Sequence, residues 1–155
     1  MENSFDYKLN DLSNIDEIIS ISKDVFHPSE ESILKYHNKE DWLNKIKNKG
    51  LLISVYDNDV CIAYALCNKI DDDILRIWNV GVLDEYRGLG IWNQIYNMIV
   101  NYAVQEGYKK LNLNTFKVKF PNMYKFVKKE GFNLMKEETK DDGYTKSYFI
   151  KDIVQ

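Results

Sequence analysis

Between Val80 and Ile91 an apolar strand pattern, Val80-Gly81-Val82, breaks into the turn Asp84-Glu85-Tyr86-Arg87, passes Gly88 and Gly90, and restarts as an apolar helical repeat. A strand, a glycine-bearing basic turn and a helix in that order build an anion seat. At a helix N-terminus several backbone N–H groups lack intrahelical acceptors, and the macrodipole adds partial positive charge, so the main chain itself binds a phosphate there. Gly88 and Gly90 let the backbone come close. A short Gly-x-Gly alone marks any tight turn; its place after a strand and before a long helix gives it content.

The rest of the chain supplies the frame. No repeat or low-complexity tract interrupts it, and two prolines leave the order of elements to carry the fold. Phe5–Leu9 reads as a strand. Ser13 is expected to cap a helix striped by Ile15, Ile18, Ile19 and Val25, which ends at His27-Pro28-Ser29. A second helical stretch opens at Ser29-Glu30-Glu31 and runs through Trp42, Leu43 and Ile46 to Gly50. Three strands follow, Leu51–Tyr56, Val60–Ile70 and Ile74–Val82, joined by acidic turns as an antiparallel meander. The helix from about Gly90 to Glu106 turns Ile91, Ile95, Met98 and Tyr102 inward and Asn93, Asn97, Asn101 and Gln105 outward. Lys110–Phe116 then pairs parallel to the preceding strand if the two are neighbours. Pro121 starts a short helix, and Phe132–Glu138 with Tyr144–Lys151 close the chain. This pattern is α+β, with a mixed central sheet of about seven strands flanked by about four helices.

Composition narrows the function classes. With 155 residues, 45% hydrophobic and 14% aromatic, the chain is expected to form one domain over residues 1–155. A net charge of −3 and a pI near 5.4 give no global basic field, which argues against nucleic acid as a partner. No apolar run approaches the roughly 20 residues of a membrane span, and Met1-Glu2-Asn3-Ser4 does not open a secretory signal, so a cytoplasmic protein off the membrane is expected. Cys61 and Cys67 fall in one strand, too far apart to pair. Their even spacing puts both on one face with Ala63 and Ala65 as small packing residues. His27 and His37 are expected at the surface, and no cluster suggests a metal.

Arg87-Gly88-Leu89-Gly90-Ile91 after Val80-x-Val82 resembles the acyl-CoA signature of the GNAT superfamily of N-acetyltransferases, Gln/Arg-x-x-Gly-x-Gly/Ala, and the element order is that of the GNAT fold. Arg87 and Gly90 match the first and fourth places, while Trp92 stands at the sixth, where the family has Gly or Ala. The Trp92 ring either crowds the pyrophosphate or walls it; the wall is favoured, because Ile91, Ile95 and Met98 already fill the apolar stripe. The resemblance implies acetyl-CoA as co-substrate, bound by Val80, Gly81, Val82, Arg87, Gly88, Leu89, Gly90, Ile91 and Trp92. The Val80 or Gly81 N–H would polarise the thioester, with Gly81 suited to a bulge. The family's proton-donating Tyr falls at Val127. Tyr124, one turn earlier, is the substitute catalytic candidate, with packing as its other reading. Asn79, with Trp42 and Trp78, is placed at the acceptor pocket and joins Tyr124 as a catalytic candidate; Trp78 shares strand parity with Val80 and Val82, which also allows a core role. The basic residues Lys117, Lys119, Lys125, Lys128 and Lys129 are a candidate for the 3′-phosphate, or a solvated face. The implied activity is direct transfer of an acetyl group to a primary amine, on a small molecule or a protein, with a homodimer as the assembly to test. The alternative is a non-catalytic acyl-CoA-binding or sensing module of the same fold that acts through a partner.

Overall fold

A computed structural model describes residues 4–26 and 36–153. Its elements run β1 (Asp6–Leu9), α1 (Ile15–Phe26), α2 (Lys39–Lys47), β2 (Leu51–Asp57), β3 (Val60–Lys69), β4 (Ile74–Val82), a 3-10 turn (Asp84–Tyr86), α3 (Ile91–Gln105), β5 (Lys110–Phe116), α4 (Pro121–Lys129), β6 (Asn133–Thr139) and β7 (Thr145–Asp152). The strands form one seven-stranded mixed sheet ordered β1-β2-β3-β4-β5-β7-β6. The β2-β3-β4 meander is antiparallel and β4 to β5 is parallel, as the helical connection requires. β7 inserts between β5 and β6, so the closing hairpin presents its second strand to the sheet.

Two apolar layers sandwich the sheet. On one face α3 lays Ile91, Ile95, Tyr96, Ile99 and Ala103 over Leu51, Ile53, Ala63, Ala65, Leu75, Ile77, Leu111 and Leu113. Met98 and Tyr102, expected to point inward, are only partly buried. On the other face α1 and α2 bring Ile15, Ile18, Ile19, Ile21 and Trp42 onto Leu52, Tyr56, Tyr64 and Leu66. Ser13 does not cap α1. Its N–H and hydroxyl both donate to the Asp11 carboxylate. The opening of a helix at Ser29-Glu30-Glu31 lies outside the described residues; α2 begins after Asn38, whose side chain accepts from the Asp41 N–H at 3.1 Å.

Bulges break the strand alternation in two places that matter. Across β2 and β3 the register passes from Val55 with Ala63 to Tyr56 with Cys61, so Ile62 is an extra residue on β3. One inserted residue turns everything beyond it to the other face. Cys61 therefore packs on the α1–α2 side, whereas Ala63, Ala65 and Cys67 stay on the α3 side, which corrects the expectation that both cysteines share a face. Both thiols are free and buried, and burial pushes the Cys61 thiol up to about 11 and Cys67 higher still, leaving both as neutral packing groups.

The second bulge is on β4. Leu66 pairs with Asn79 and Cys67 with Ile77, so Trp78 is the extra residue. The expectation of a bulge at Gly81 is corrected by three residues: Gly81 pairs regularly with Tyr64. The parity inferred for Trp78 is corrected too. Val80 and Val82 pack toward α3, while Trp78 and the adjacent Asn79 both face α1 and α2.

Ile99 is fully buried at the centre of α3. Ile99→Ala should lower stability by about 2–5 kcal/mol in chemical denaturation, the cost of lost burial plus the cavity left.

Candidate active site

β4 and β5 share only the pairs Ile74–Lys110, Leu75–Leu111, Arg76–Asn112 and Ile77–Leu113. Beyond them β4 continues along β3 to Val82 while β5 continues along β7 to Phe116. A wedge thus opens in the sheet where the Trp78 bulge bends β4 away. Main-chain groups on the facing edges of β4 and β5 have no strand partner there, which leaves them free for an extended ligand.

At the outer end of β4 the chain reaches α3 through Gly88 and Gly90, whose φ values are +79° and +82°. This left-handed backbone favours glycine, and a β-carbon added at either position would meet no atom within 4 Å. The front of the helix is therefore open space. Gly90 is the N-cap, it offers no side-chain hydrogen bond, and no acidic residue occupies the first turn. The first intrahelical bond runs from the Gln94 N–H to the Gly90 carbonyl, so the N–H groups of Ile91, Trp92 and Asn93 have no acceptor within the helix. Uncapped and free of carboxylates in its first turn, this end fits a polyphosphate. The Arg87 guanidinium is held at Asp84, 3.2 Å from Nη1 to Oδ1, and its Nε lies 3.3 Å from the Val82 carbonyl. Leu89 is exposed, whereas Val80, Val82 and Ile91 direct their side chains into the α3-side core. Those three can offer only main chain to a ligand.

Trp92 turns toward α4. Its ring stands edge-on to Phe126 at 5.3 Å and tilted to Tyr96 at 6.1 Å, and its Nε1 is sealed without a partner. The ring joins the start of α3 to α4. Val127 is fully buried, so the family's proton-donor position is core here. Tyr124 packs edge-on against Phe149 at 5.6 Å, under Lys117. It sits on the α3–α4 side, opposite to Asn79, so the sheet keeps the two catalytic candidates on different faces. Lys119 is paired with Asp142 at 3.1 Å and stacked on Tyr144, which takes it out of the basic cluster read from the sequence.

The α1–α2 side of the wedge is aromatic. Trp42 lies against Tyr64 at 5.8 Å and Trp78 at 6.5 Å, Tyr36 lies against Trp78 at 6.0 Å, and Lys45 covers the Trp78 ring. Phe26 at the end of α1 meets Phe120 at the start of α4, 5.9 Å apart, linking the helices on either side. Tyr64, which the sequence reading did not single out, donates its hydroxyl to Asn79 Oδ1 at 2.7 Å. His37 is buried rather than at the surface, 2.7 Å from the Ser22 hydroxyl, which itself donates to the Ile19 carbonyl at 2.7 Å. With the serine proton so used, His37 Nδ1 carries hydrogen and donates. No sequence signal joins positions 22, 37, 64 and 79; only the fold does. His27 lies outside the described residues. Among the described residues no group of three His, Cys, Asp or Glu side chains is placed to hold a metal ion, and no helix is long and apolar enough to cross a membrane.

A wedge beside an uncapped, glycine-opened helix in this topology is the fold of solved acetyltransferases. A protein assigned to the GNAT family from Desulfovibrio desulfuricans superposes with a TM-score of 0.83 at 11% identity, over 97% of this chain and 100% of that one. The ribosomal-protein-S18-alanine N-acetyltransferase of Escherichia coli gives 0.79 at 12% identity, over 98% and 96%. A GNAT family acetyltransferase from Elizabethkingia anophelis, solved with acetyl-CoA bound, gives 0.68 at 16% identity, over 97% and 99%. Identities this low establish the fold, and no curated protein matches the chain. The sequence goes further, because the model of the acetyltransferase (GNAT) family matches residues 14–132. The chain belongs to that family.

Burial, and secondarily the Lys23 charge, hold the His37 imidazole below the ordinary histidine range. Its contribution to stability is present above the unfolded value of about 6.5 and is lost as pH falls through the lower folded value. Denaturation midpoints should therefore drop between about pH 7 and the acid side of that range. His37→Asn, whose amide N–H can replace Nδ1–H toward Ser22, should flatten the slope; an unchanged slope would assign the titration to another group.

Proposed function

We propose that the protein is an N-acetyltransferase that moves an acetyl group from acetyl-CoA directly to a primary amine. The observation that carries this reading is the open N-terminus of α3 at the mouth of the β4–β5 wedge, uncapped, free of acidic residues in its first turn and entered through two left-handed glycines. The acetyl-CoA bound by the Elizabethkingia anophelis protein of the same fold supports it. In this reading the main chain from Gly88 to Trp92 holds the pyrophosphate, and the free edge of Val80-Gly81-Val82 pairs with the pantetheine arm. Arg87 and Leu89 flank the seat, and Trp92 walls it on the α4 side. The amine attacks the thioester carbon from the aromatic α1–α2 side. A C–N bond forms, the C–S bond breaks, and the departing thiolate takes a proton. A thiol pKa of about 8.5 lets it leave with little help, so Tyr124 is an aid to departure rather than a requirement. The acceptor is an amine of a small molecule or a protein. Val127, sealed in the core where the family has Tyr, favours one other reading, an acyl-CoA-binding module that acts through a partner.

Calorimetry with acetyl-CoA, followed by thiol release across a panel of amines, separates these readings. Binding with amine-dependent thiol release supports the enzyme, binding alone supports the module, and no binding removes both.

Two substitutions test the seat. Gly90→Val should weaken acetyl-CoA binding about tenfold or more, ~1.4 kcal/mol, on top of a left-handed strain of about 1–2 kcal/mol in stability. Gly107→Val is its control, because Gly107 has φ +85° and equally open surroundings at the far end of α3. It should carry the strain and leave affinity unchanged. Trp92→Ala should weaken binding by ~1–3 kcal/mol as the wall is lost. Tighter binding by a folded variant would mean that the ring obstructs the seat.

A further inference from the structure

A polar thread crosses the otherwise apolar α1–α2 face and ends at the wedge. Tyr64 stands opposite Gly81 in the β3–β4 ladder, and its ring lies across that glycine. A β-carbon at position 81 would come within 2.8 Å of Tyr64 Cε1 and 3.1 Å of its hydroxyl oxygen. The bare backbone at Gly81 is what lets the phenol reach Asn79 Oδ1, and the Trp78 bulge is what turns Asn79 to meet it. The phenol is fully buried and packed on Trp42. Burial holds it far above the ordinary phenol range, so it keeps its proton and remains a donor.

An asparagine that accepts on Oδ1 has its amide plane fixed, with Nδ2 turned the other way. Among the described residues Asn79 Nδ2 has no hydrogen-bond partner, and it is not one of the sealed polar atoms. Asn79 stands two residues past the last β4–β5 pair, directly before Val80 and Gly81 on the strand that borders the wedge. A buried network that satisfies one end of an amide and leaves the other open at a cleft is costly as mere packing. It is suited to aiming a donor.

We propose that Tyr64 is a positioning residue that holds Asn79 with its Nδ2–H directed into the wedge, where it donates to the carbonyl oxygen of the acyl thioester. The inference rests on the acetyl-transfer reading above. When the amine lone pair forms the C–N bond, the carbonyl π electrons move onto oxygen. They return as the C–S bond breaks and the thiolate leaves, while the surplus amine proton passes to water. Negative charge resides on that oxygen between the two events, and a preorganised amide donor beside the strand N–H groups stabilises it without reorganisation.

The probe is acetyl-CoA labelled with carbon-13 at the thioester carbonyl, read by isotope-edited infrared difference spectra alongside calorimetry and thiol release. Bound to the unmodified protein, the carbonyl stretch should fall below its value in free acetyl-CoA. Asn79→Asp keeps the shape and the bond from Tyr64 but replaces the donor with an acceptor. It should abolish the downshift and lower kcat by ~100-fold, on the scale of a lost oxyanion donor. Tyr64→Phe keeps the ring on Gly81 and Trp42. It should lose most of the downshift and about tenfold in kcat, with acetyl-CoA affinity within about threefold and the melting temperature recorded beside it. Gly81→Ala, by displacing the phenol, should reproduce Tyr64→Phe. A downshift retained in Asn79→Asp overturns the proposal, as does one retained in a folded Tyr64→Phe. If the unmodified protein binds acetyl-CoA without any downshift, the proposal fails while the seat stands; if it does not bind at all, the acetyl-transfer reading fails and takes the proposal with it.

Discussion

β4 and β5 stay hydrogen-bonded only as far as Ile77 and Leu113, and each then follows its other neighbour. A parallel pair in the middle of a sheet would ordinarily be among its most protected ladders, because both strands are buried on both faces. Here the ladder is given up on purpose. The extra residue at Trp78 bends β4, and the N–H and C=O groups released on the two edges need partners that an extended ligand can supply. The same break delivers β4 to the turn that starts α3, so the wedge and the helix N-terminus are consecutive in sequence and adjoining in space.

The two faces of the sheet divide the labour. Toward α3 and α4 the packing is apolar, and Ile91, Ile95, Ile99, Leu111 and Leu113 fix the helix whose N-terminus is the proposed seat. Toward α1 and α2 a comparably buried layer admits polar groups: the Ser22 hydroxyl joins His37 to the Ile19 carbonyl, and the Tyr64 hydroxyl donates to Asn79 Oδ1. Polar groups in a core are tolerated when paired and expensive when not. That layer also carries the aromatic rings of Tyr36, Trp42 and Trp78, so the side from which an acceptor would enter is shaped by rigid surfaces with little rotamer entropy to lose.

Most of the fold was legible because its signals are local. The period of α3, Gly107 after it, Pro121 at the start of α4 and the acidic turns around Asp57 and Asp71 each act within a few residues, and the strands they bound fall within a residue or two of the observed ones. The uncapped start of α3 was legible for the same reason: strand, left-handed glycines and helix follow one another without interruption. What alternation could not carry was the face of each residue beyond a bulge. Cys61 was read onto the wrong side, and so was Trp78 where its parity with Val80 and Val82 was followed rather than its grouping with Trp42 and Asn79, since an inserted residue leaves no mark in composition yet reverses every side chain past it. His37 was read as a surface residue because a lone histidine in a helical stretch has no sequence feature that says what will cover it.

The sequence by itself therefore determined the order and type of the elements, the glycines at 88 and 90 that the turn into α3 demands, and membership in the acetyltransferase (GNAT) family. Only the tertiary structure decided that Tyr64 lies over Gly81, that Asn79 turns with Trp78 toward α1 and α2, and that Val127 is buried and Tyr124 partly buried on the opposite side. The physical reason is range. Helix ends and turns are set by the energetics of a few neighbouring dihedrals and hydrogen bonds, whereas a contact across a sheet depends on register, and register is the joint outcome of every strand pairing in it.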